Sequence, residues 1–354
     1  MEEYMGFHEP SPMDTFRVLV ERRFQVEDEL VEFNIPTFYV REDGNLKNKF
    51  LDLLMELDGI GYAATLRRVD GRIRIQIFLK PKSKPSDRRI NMALLLATIG
   101  TTFFAGYLQS TEYTNPYYNA GLFTIAMLGV LGLHEMGHKL AARKYRLEAS
   151  DPYFIPGPPP LGTFGAVIRQ KSLIPNRDAL FDLGAMGPIV GFIVSILVTA
   201  IGLRLSQLVW VPQVPPGTLN TPILYRYIAD LVLEAPPNPN NLPHLLILLH
   251  PVAFAGYVGM LVTMLNLIPV GQLDGGHIAY CFLGNRGRNL LGMIAIAGLF
   301  ISGYWFFALF ALFWMFQPHP EPLDNVTGVS RSRKITALLI VAIFVLSLAP
   351  QSFL

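Results

Sequence analysis

Cysteine is all but missing from this chain of 354 residues: Cys281 is the single one. No intramolecular disulfide can form and no cysteine-built zinc module exists, so any metal must be held by His, Asp or Glu. Charge is sparse as well, at 16% Asp, Glu, Lys and Arg, and a formal net charge of +2 gives no basis for nucleic-acid binding. The sequence also lacks an internal repeat, a nucleotide-binding loop and an N-terminal basic stretch followed by an apolar core, so no signal peptide is expected. What remains is apolar. With 51% hydrophobic and 12% aromatic residues, the composition describes a polytopic membrane protein rather than a soluble enzyme.

Residues 1–80 have a different texture from the rest. Met13–Asn34 is charged and intermittently apolar, Ile35–Val40 reads as a strand, and Leu46–Leu57 carries apolar residues at helical spacing. Tyr62–Val69 and Arg72–Lys80 flank the turn pair Asp70-Gly71, and Ile73, Ile75, Ile77 and Leu79 alternate with Arg72, Arg74, Gln76 and Phe78, which predicts a hairpin with one buried face. A small soluble α+β domain is the expectation. Residues 81–89 form a basic, proline-broken linker ending in Arg88-Arg89, and the positive bias of cytosolic flanks puts this domain in the cytosol.

Six spans are expected from there on: Ile90–Leu108, Gly121–Ala142, Ala179–Leu203, Leu245–Leu267, Leu290–Phe316 and Ile335–Ala349. The basic cluster Lys139, Arg143, Lys144 and Arg146 returns the second span to the cytosol, and six crossings put both ends of the chain there. Arg331, Arg333 and Lys334 sit awkwardly in that scheme, since they would lie outside.

The second span carries His134-Glu135-Met136-Gly137-His138. Two imidazoles four residues apart share a helix face and can reach one Zn²⁺, with the adjacent glutamate placed to act on water. The other reading of these residues is a solvated cytosolic helix end. Burying Glu135 in a lipid-facing helix would cost about 2.5–3.5 kcal/mol, so polar groups at that depth need a function. From His134 to the basic end at Arg143 is about 13 Å of helix, which sets the site below the cytosolic surface and nearer that face.

A catalytic zinc takes three protein ligands. The candidate for the third is Asp274, in Asn266-Leu267-Ile268-Pro269-Val270-Gly271-Gln272-Leu273-Asp274-Gly275-Gly276, where proline and glycines favour an unwound stretch. The alternative is an aspartate that caps a helix beginning near Gly275. Asn266 can donate a hydrogen bond to a developing oxyanion or pair with a neighbouring helix. His277 is expected to close the polar loop by hydrogen bonding, while His8, His244 and His319 have no ligand-like partners.

Gly162, Thr163, Phe164 and Gly165 open a segment to Gln170 with strand-like alternation and glycines that permit close backbone approach. It reads as a re-entrant strand for an extended substrate, by strand addition, or as a surface connection of the kind that Pro156, Pro158, Pro159 and Pro160 also suit.

HEMGH on one span and NLIPVGQLDGG on a later one together resemble the site-2 protease family of intramembrane metalloproteases. His250-Pro251 and Gly162-Thr163-Phe164-Gly165-Ala166 also resemble segments of that family, particularly its branches without a PDZ domain, over about residues 90–290. The Arg204–His244 connection, of about forty residues with eight prolines, has no room for such a domain. The resemblance implies a transmembrane metalloprotease domain over 90–354, its core about 121–283, in a polytopic α-helical membrane protein of about six helices. It also implies one Zn²⁺ per chain held by His134, His138 and Asp274, with Glu135 activating water and Asn266 holding substrate or oxyanion. The expected activity is cleavage of membrane-spanning protein substrates within the lipid bilayer, with the oligomeric state left open. A membrane metal transporter and a catalytically silent membrane-protein scaffold are the competing classes.

Overall fold

The computed structural model describes residues 12–82, 86–215, 218–238, 240–317 and 319–348, and falls into two units. The readings of the extreme N-terminus, of Ser83–Pro85 in the linker and of Ala349 lie outside the described residues.

The first unit is built from α1 (Pro12–Glu21), β1 (Val26–Glu32), β2 (Ile35–Val40), α2 (Leu46–Gly59), β3 (Tyr62–Val69) and β4 (Arg72–Leu79). The strands form one antiparallel sheet in the order β1-β2-β4-β3. Asp70 and Gly71 both take positive φ (49° and 80°), which matches the right-handed twist of the β3–β4 hairpin. Ile73, Ile75 and Ile77 are buried with Phe38, Phe50, Leu53, Leu57 and Leu66, each contributing about 1.5–3 kcal/mol by leaving water. The inward alternation stops there, since Leu79 at the strand's end is exposed.

Two distant segments, Leu173–Leu180 and Glu321–Val329, belong to this unit too. The free edge of β3 is taken up by the second of them: Leu66 N–H donates to Leu323 O (2.8 Å) and Asn325 N–H to Leu66 O (3.2 Å). Leu323 and Asp324 N–H then donate to Ile174 and Pro175 O, at 2.8 and 2.9 Å. Leu323 is buried in the sheet's core, so edge pairing and apolar burial act together.

The second unit contains α3 (Arg88–Gln109), α4 (Pro116–Lys144), the hairpin β5 (Tyr153–Pro156) and β6 (Thr163–Val167), and α5 (Arg177–Arg204), whose first turn lies in the first unit. Next come β7 (Gln207–Val211), α6 (Ile223–Val232), β8 (His244–Leu248), α7 (Pro251–Asn266), α8 (Asp274–Ile301), α9 (Trp305–Met315) and α10 (Arg331–Ser347). Among the described residues, α3, α4 and α5 are long and apolar enough to cross a membrane.

Two expected spans are differently built. Leu245–Leu267 divides into β8, paired with β7, and α7, because His250 is extended and caps α7 through its Nδ1 while Pro251 supplies the first helical residue. Leu290–Phe316 is not one helix. Gly303 at φ 77° ends α8 and the chain turns back into α9, while α8 itself begins far earlier, at Asp274, and is kinked at Gly284 (φ 65°, ψ −170°).

The ends of these helices sort into two groups. Asn91 Nδ2 at the start of α3 donates to Asp151 and Pro152 O, Lys139 pairs with Asp151, and Lys144 at the end of α4 pairs with Asp182 in α5. Arg333, at the start of α10, joins that group through Asp182 (2.8 Å) and the Tyr145 hydroxyl (2.7 Å). At the other end of α10, Leu348 O accepts from Ile223 N–H of α6 at 2.9 Å, and Tyr225 of α6 donates to Ala253 O at the start of α7. Residue 348 and the start of α3 therefore lie at opposite ends of the helical unit. Arg333 thus lies with Lys144 and Asp182 at the basic end of α4.

Candidate metal centre

α4 is launched by Asn115, whose Oδ1 accepts from Tyr118 N–H (3.1 Å), and by Pro116 in its first turn. The helical repeat then sets His134, Glu135 and His138 on neighbouring positions, with His134 and Glu135 buried. Burial there requires a neighbour without side-chain bulk. Gly187 of α5 lies so close that a Cβ would overlap the His138 ring, and one on Gly191 would come within 2.8 Å of His134 Nδ1. Gly137 returns the approach, its missing Cβ leaving 2.5 Å to Met186 O. On either side of Pro188, α5 thus offers glycines that leave room for both imidazoles.

Asp274 arrives from a different direction. α7 closes at Leu267, residues 267–273 are irregular with Gly271 at φ 51°, and α8 starts at Asp274. The turn is tight enough that a Cβ on Gly276 would lie 2.5 Å from Gly271 O. The N-cap of α8 is Leu273, and the carboxylate oxygens of Asp274 face the imidazoles.

The resulting distances are short and mutually consistent. His134 Nε2 lies 3.1 Å from His138 Nε2 and 3.4 Å from Asp274 Oδ2, while His138 Nε2 is 3.5 Å from Asp274 Oδ1. Donors at the zinc bonding distance of about 2.0–2.1 Å stand about 3.3 Å apart at the corners of a tetrahedron, so this set fits that ion. His138 Nδ1 lies 2.7 Å from Leu183 O, a partner that fixes the N–H on Nδ1 and leaves the Nε2 lone pair facing the cluster. Asn266 Nδ2 is 3.3 Å from His134 Nε2, which brings the amide beside the cluster.

The β5–β6 hairpin flanks the other side of Glu135. Ile168 N–H, just beyond β6, hydrogen-bonds the Glu135 carboxylate, and Phe154 of β5 packs over Gly132 one turn before it. Of the expected strand residues, Gly162 (φ 74°) is pressed against Thr101 and Thr102 of α3, and Thr101 Oγ1 donates to Gly162 O (2.7 Å). Thr163 is buried and its hydroxyl bonds Ile155 O (2.8 Å), while Phe164 is 73% exposed and Gly165 (φ 109°) faces open space. Thr163, Phe164 and Gly165 lie in β6 and Gly162 just before it, and the residue that meets Glu135 is Ile168.

The chain from 122 to 310, more than half of the sequence, matches the family model of Peptidase family M50. The chain belongs to that family. Among relatives of this M50 chain, the "Probable zinc metalloprotease EGY1, chloroplastic" of Arabidopsis thaliana is 32% identical over 250 residues, covering 68% of this chain and 44% of that protein. The "Probable zinc metalloprotease EGY2, chloroplastic" of Oryza sativa subsp. indica is 30% identical over 192 residues, covering 52% and 34%. The "Probable zinc metalloprotease EGY3, chloroplastic" of the same rice is 27% identical over 303 residues, covering 79% and 51%. The chain spans about half the length of these relatives or less. No solved structure matches it.

Several residues around the candidate centre were not singled out from sequence. Leu183 contributes only a carbonyl, which no side-chain motif announces. Gly184, Gly187 and Gly191 did carry a signal, small residues at spacings of three and four on an apolar helix, the pattern of close helix approach. His277 hydrogen-bonds as expected, but its partner is His319 (Nδ1 to Nε2, 2.9 Å), for which no partner was expected. Tyr280 stacks on that ring at 4.6 Å.

Proposed function

We propose that this chain is an intramembrane zinc endopeptidase that hydrolyses peptide bonds within or near the transmembrane helices of membrane-anchored protein substrates. The observation that carries the reading is the convergence of His134, His138 and Asp274, from two distant stretches, on one cluster of ligand atoms lying within 4.8 Å of one another.

Those three residues would hold one zinc per chain. Bound there, zinc supplies Lewis acidity: it acidifies a water molecule and polarises a carbonyl oxygen. Glu135 takes the proton of the attacking water and returns it to the leaving amine. The Asn266 amide, beside His134, donates a hydrogen bond to the oxygen that gains charge as the carbonyl carbon becomes tetrahedral. Leu183 O keeps His138 in the tautomer whose Nε2 is free.

Peptide-bond access is the second requirement, since a helical substrate has its carbonyls hydrogen-bonded. Among the described residues β6 is paired by β5 alone, and it runs towards Glu135. Its free edge, with Phe164 exposed and Gly165 open, suits an unwound substrate strand added in register. Gly162 and Thr163 anchor this platform to α3 and β5.

The protein is read as multi-pass, with the basic end of α4, the starts of α3, α5 and α10, and the N-terminal domain on the cytosolic side, and the metal centre nearer that face. In this reading α10 crosses outward, so that residue 348 ends on the far side, and α8 with α9 forms a helical hairpin instead of a single crossing.

The test is cleavage of a single-span model substrate by purified protein in bilayers, with fragments mapped by mass spectrometry. Cuts within or beside the span, lost on zinc chelation and restored by zinc, are expected. Intact substrate with fully zinc-loaded protein would overturn the assignment.

A further inference from the structure

The polar end of α4 carries side chains that the metal centre does not use. Leu133, Met136, Leu140 and Arg143 follow one another at spacings of three and four, so they form a single stripe along the helix, and all four are exposed. The stripe turns from apolar to cationic in its last step. A cavity of about 290 Å³ opens there, lined by Lys139, Arg143 and Lys171, by Glu148, and by Ala142 and Leu147.

The backbone beyond the helix builds the wall of this cavity. Arg146 takes φ 55° and Leu147 N–H donates back to Ala142 O (2.9 Å), which turns the chain after α4. The segment 148–150 then runs antiparallel to 169–171: Lys171 N–H donates to Glu148 O (2.9 Å), Ala149 bridges to Gln170, and Ser150 N–H donates to Arg169 O (3.0 Å). Lys171, remote from α4 in sequence, is thereby brought to the same cavity as Arg143. The charge bias of a helix end alone would not recruit that second segment.

The cations outnumber their partners. Of the lining side chains three are cationic and one is acidic, and Asp151, outside the lining, pairs with Lys139 and acts electrostatically on Lys171. One positive charge is left in excess. Neither the Arg143 nor the Lys171 side chain forms an ion pair or hydrogen bond with another described residue. A guanidinium and an ammonium with unused donors at one cavity recognise anionic oxygen.

We propose that this cavity binds the headgroup phosphate of an anionic phospholipid, with Arg143 and Lys171 as its donors and the acyl chains lying along Leu140, Met136 and Leu133. The stripe decides the class of ligand. A free phosphate has no use for three exposed apolar side chains in line with the cations, whereas a phospholipid presents charge and hydrocarbon in that order, and Leu140 to Arg143 is about 4.5 Å of helix. The inference rests on α4 crossing the membrane and is independent of the peptidase reading.

The test titrates the full chain, purified in a neutral detergent, with phosphatidylglycerol and with phosphatidylcholine of the same acyl chains, and reads bound lipid by native mass spectrometry. Phosphatidylglycerol is expected to bind at least about tenfold more tightly. Arg143→Gln and Lys171→Gln should each weaken it about fivefold, the scale of one basic residue at an anionic headgroup, and Leu140→Ser should weaken it as well. Arg146→Gln removes the same charge from the same end of α4 but outside the cavity, and should leave the affinity nearly unchanged. Equal binding of the two lipids by the unmodified protein overturns the site, as does a loss in Arg146→Gln as large as that in Arg143→Gln. Displacement of phosphatidylglycerol by inorganic phosphate or by an acidic peptide at the same concentration also overturns it, since neither carries an acyl chain.

Discussion

The carbonyl oxygen of Leu183 lies 2.7 Å from Nδ1 of His138, and this contact explains why an apolar helix without a single metal ligand is packed against the centre. α5 supplies the hydrogen bond that orients one imidazole and, a turn further on, the glycines that leave room for both.

Gly187→Ala should therefore behave like a ligand substitution. The added methyl overlaps the His138 ring, so the ring must turn or the helices must part. Zinc content of the purified protein should fall about tenfold or more, with a loss of about 1–3 kcal/mol in stability. Gly129→Ala, on α4 with open space at its missing Cβ, should leave zinc content unaffected, and metal analysis of the two proteins side by side checks the difference.

Glu135→Gln separates chemistry from metal binding. The substitution keeps shape and the hydrogen bond from Ile168 N–H but removes the proton acceptor, so cleavage should drop by at least about a hundredfold while zinc stays bound. Fragment yield and metal content measured on the same preparation give the answer, and full turnover would remove Glu135 from the base role.

Proline within β6 tests substrate presentation. Phe164→Pro and Ala166→Pro remove backbone donors without touching any of the three clustered side chains. Cleavage of a membrane-spanning substrate should be lost with zinc retained. Unchanged cleavage would assign the hairpin to scaffolding alone.

The path of α10 can be read by labelling, because the one native cysteine, Cys281, is buried. Cysteines placed at Ser332, in the first turn of α10, and at Thr218, in the segment leading to α6, should react with an impermeant maleimide from opposite sides of sealed vesicles. Reaction from the same side would contradict the crossing inferred from Arg333–Asp182 and Ile223–Leu348.

What was legible in the sequence was what short-range patterns encode. His134 to His138 is one helical step, Asp70-Gly71 is a turn written in two residues, and Ile73, Ile75 and Ile77 declare a buried strand face. Asp274 stood out because a carboxylate in an apolar stretch needs a partner. The misread parts depended on distance. The run Leu245–Leu248 is equally apolar as strand or helix until β7 pairs with it. Gly303 looks like any glycine in an apolar helix until its positive φ is seen. The Arg333–Asp182 pair and the strand at 323–325 join segments far apart in the chain, and local spacing carries no trace of either.

The most direct test of the account is zinc K-edge absorption combined with metal analysis on the full chain and on Asp274→Ala. The account predicts one zinc per chain with two imidazole nitrogens and oxygen donors at about 2.0–2.2 Å, and loss of most of that zinc, or of one oxygen donor, in the variant. A full complement of zinc in unchanged coordination after Asp274→Ala would contradict it.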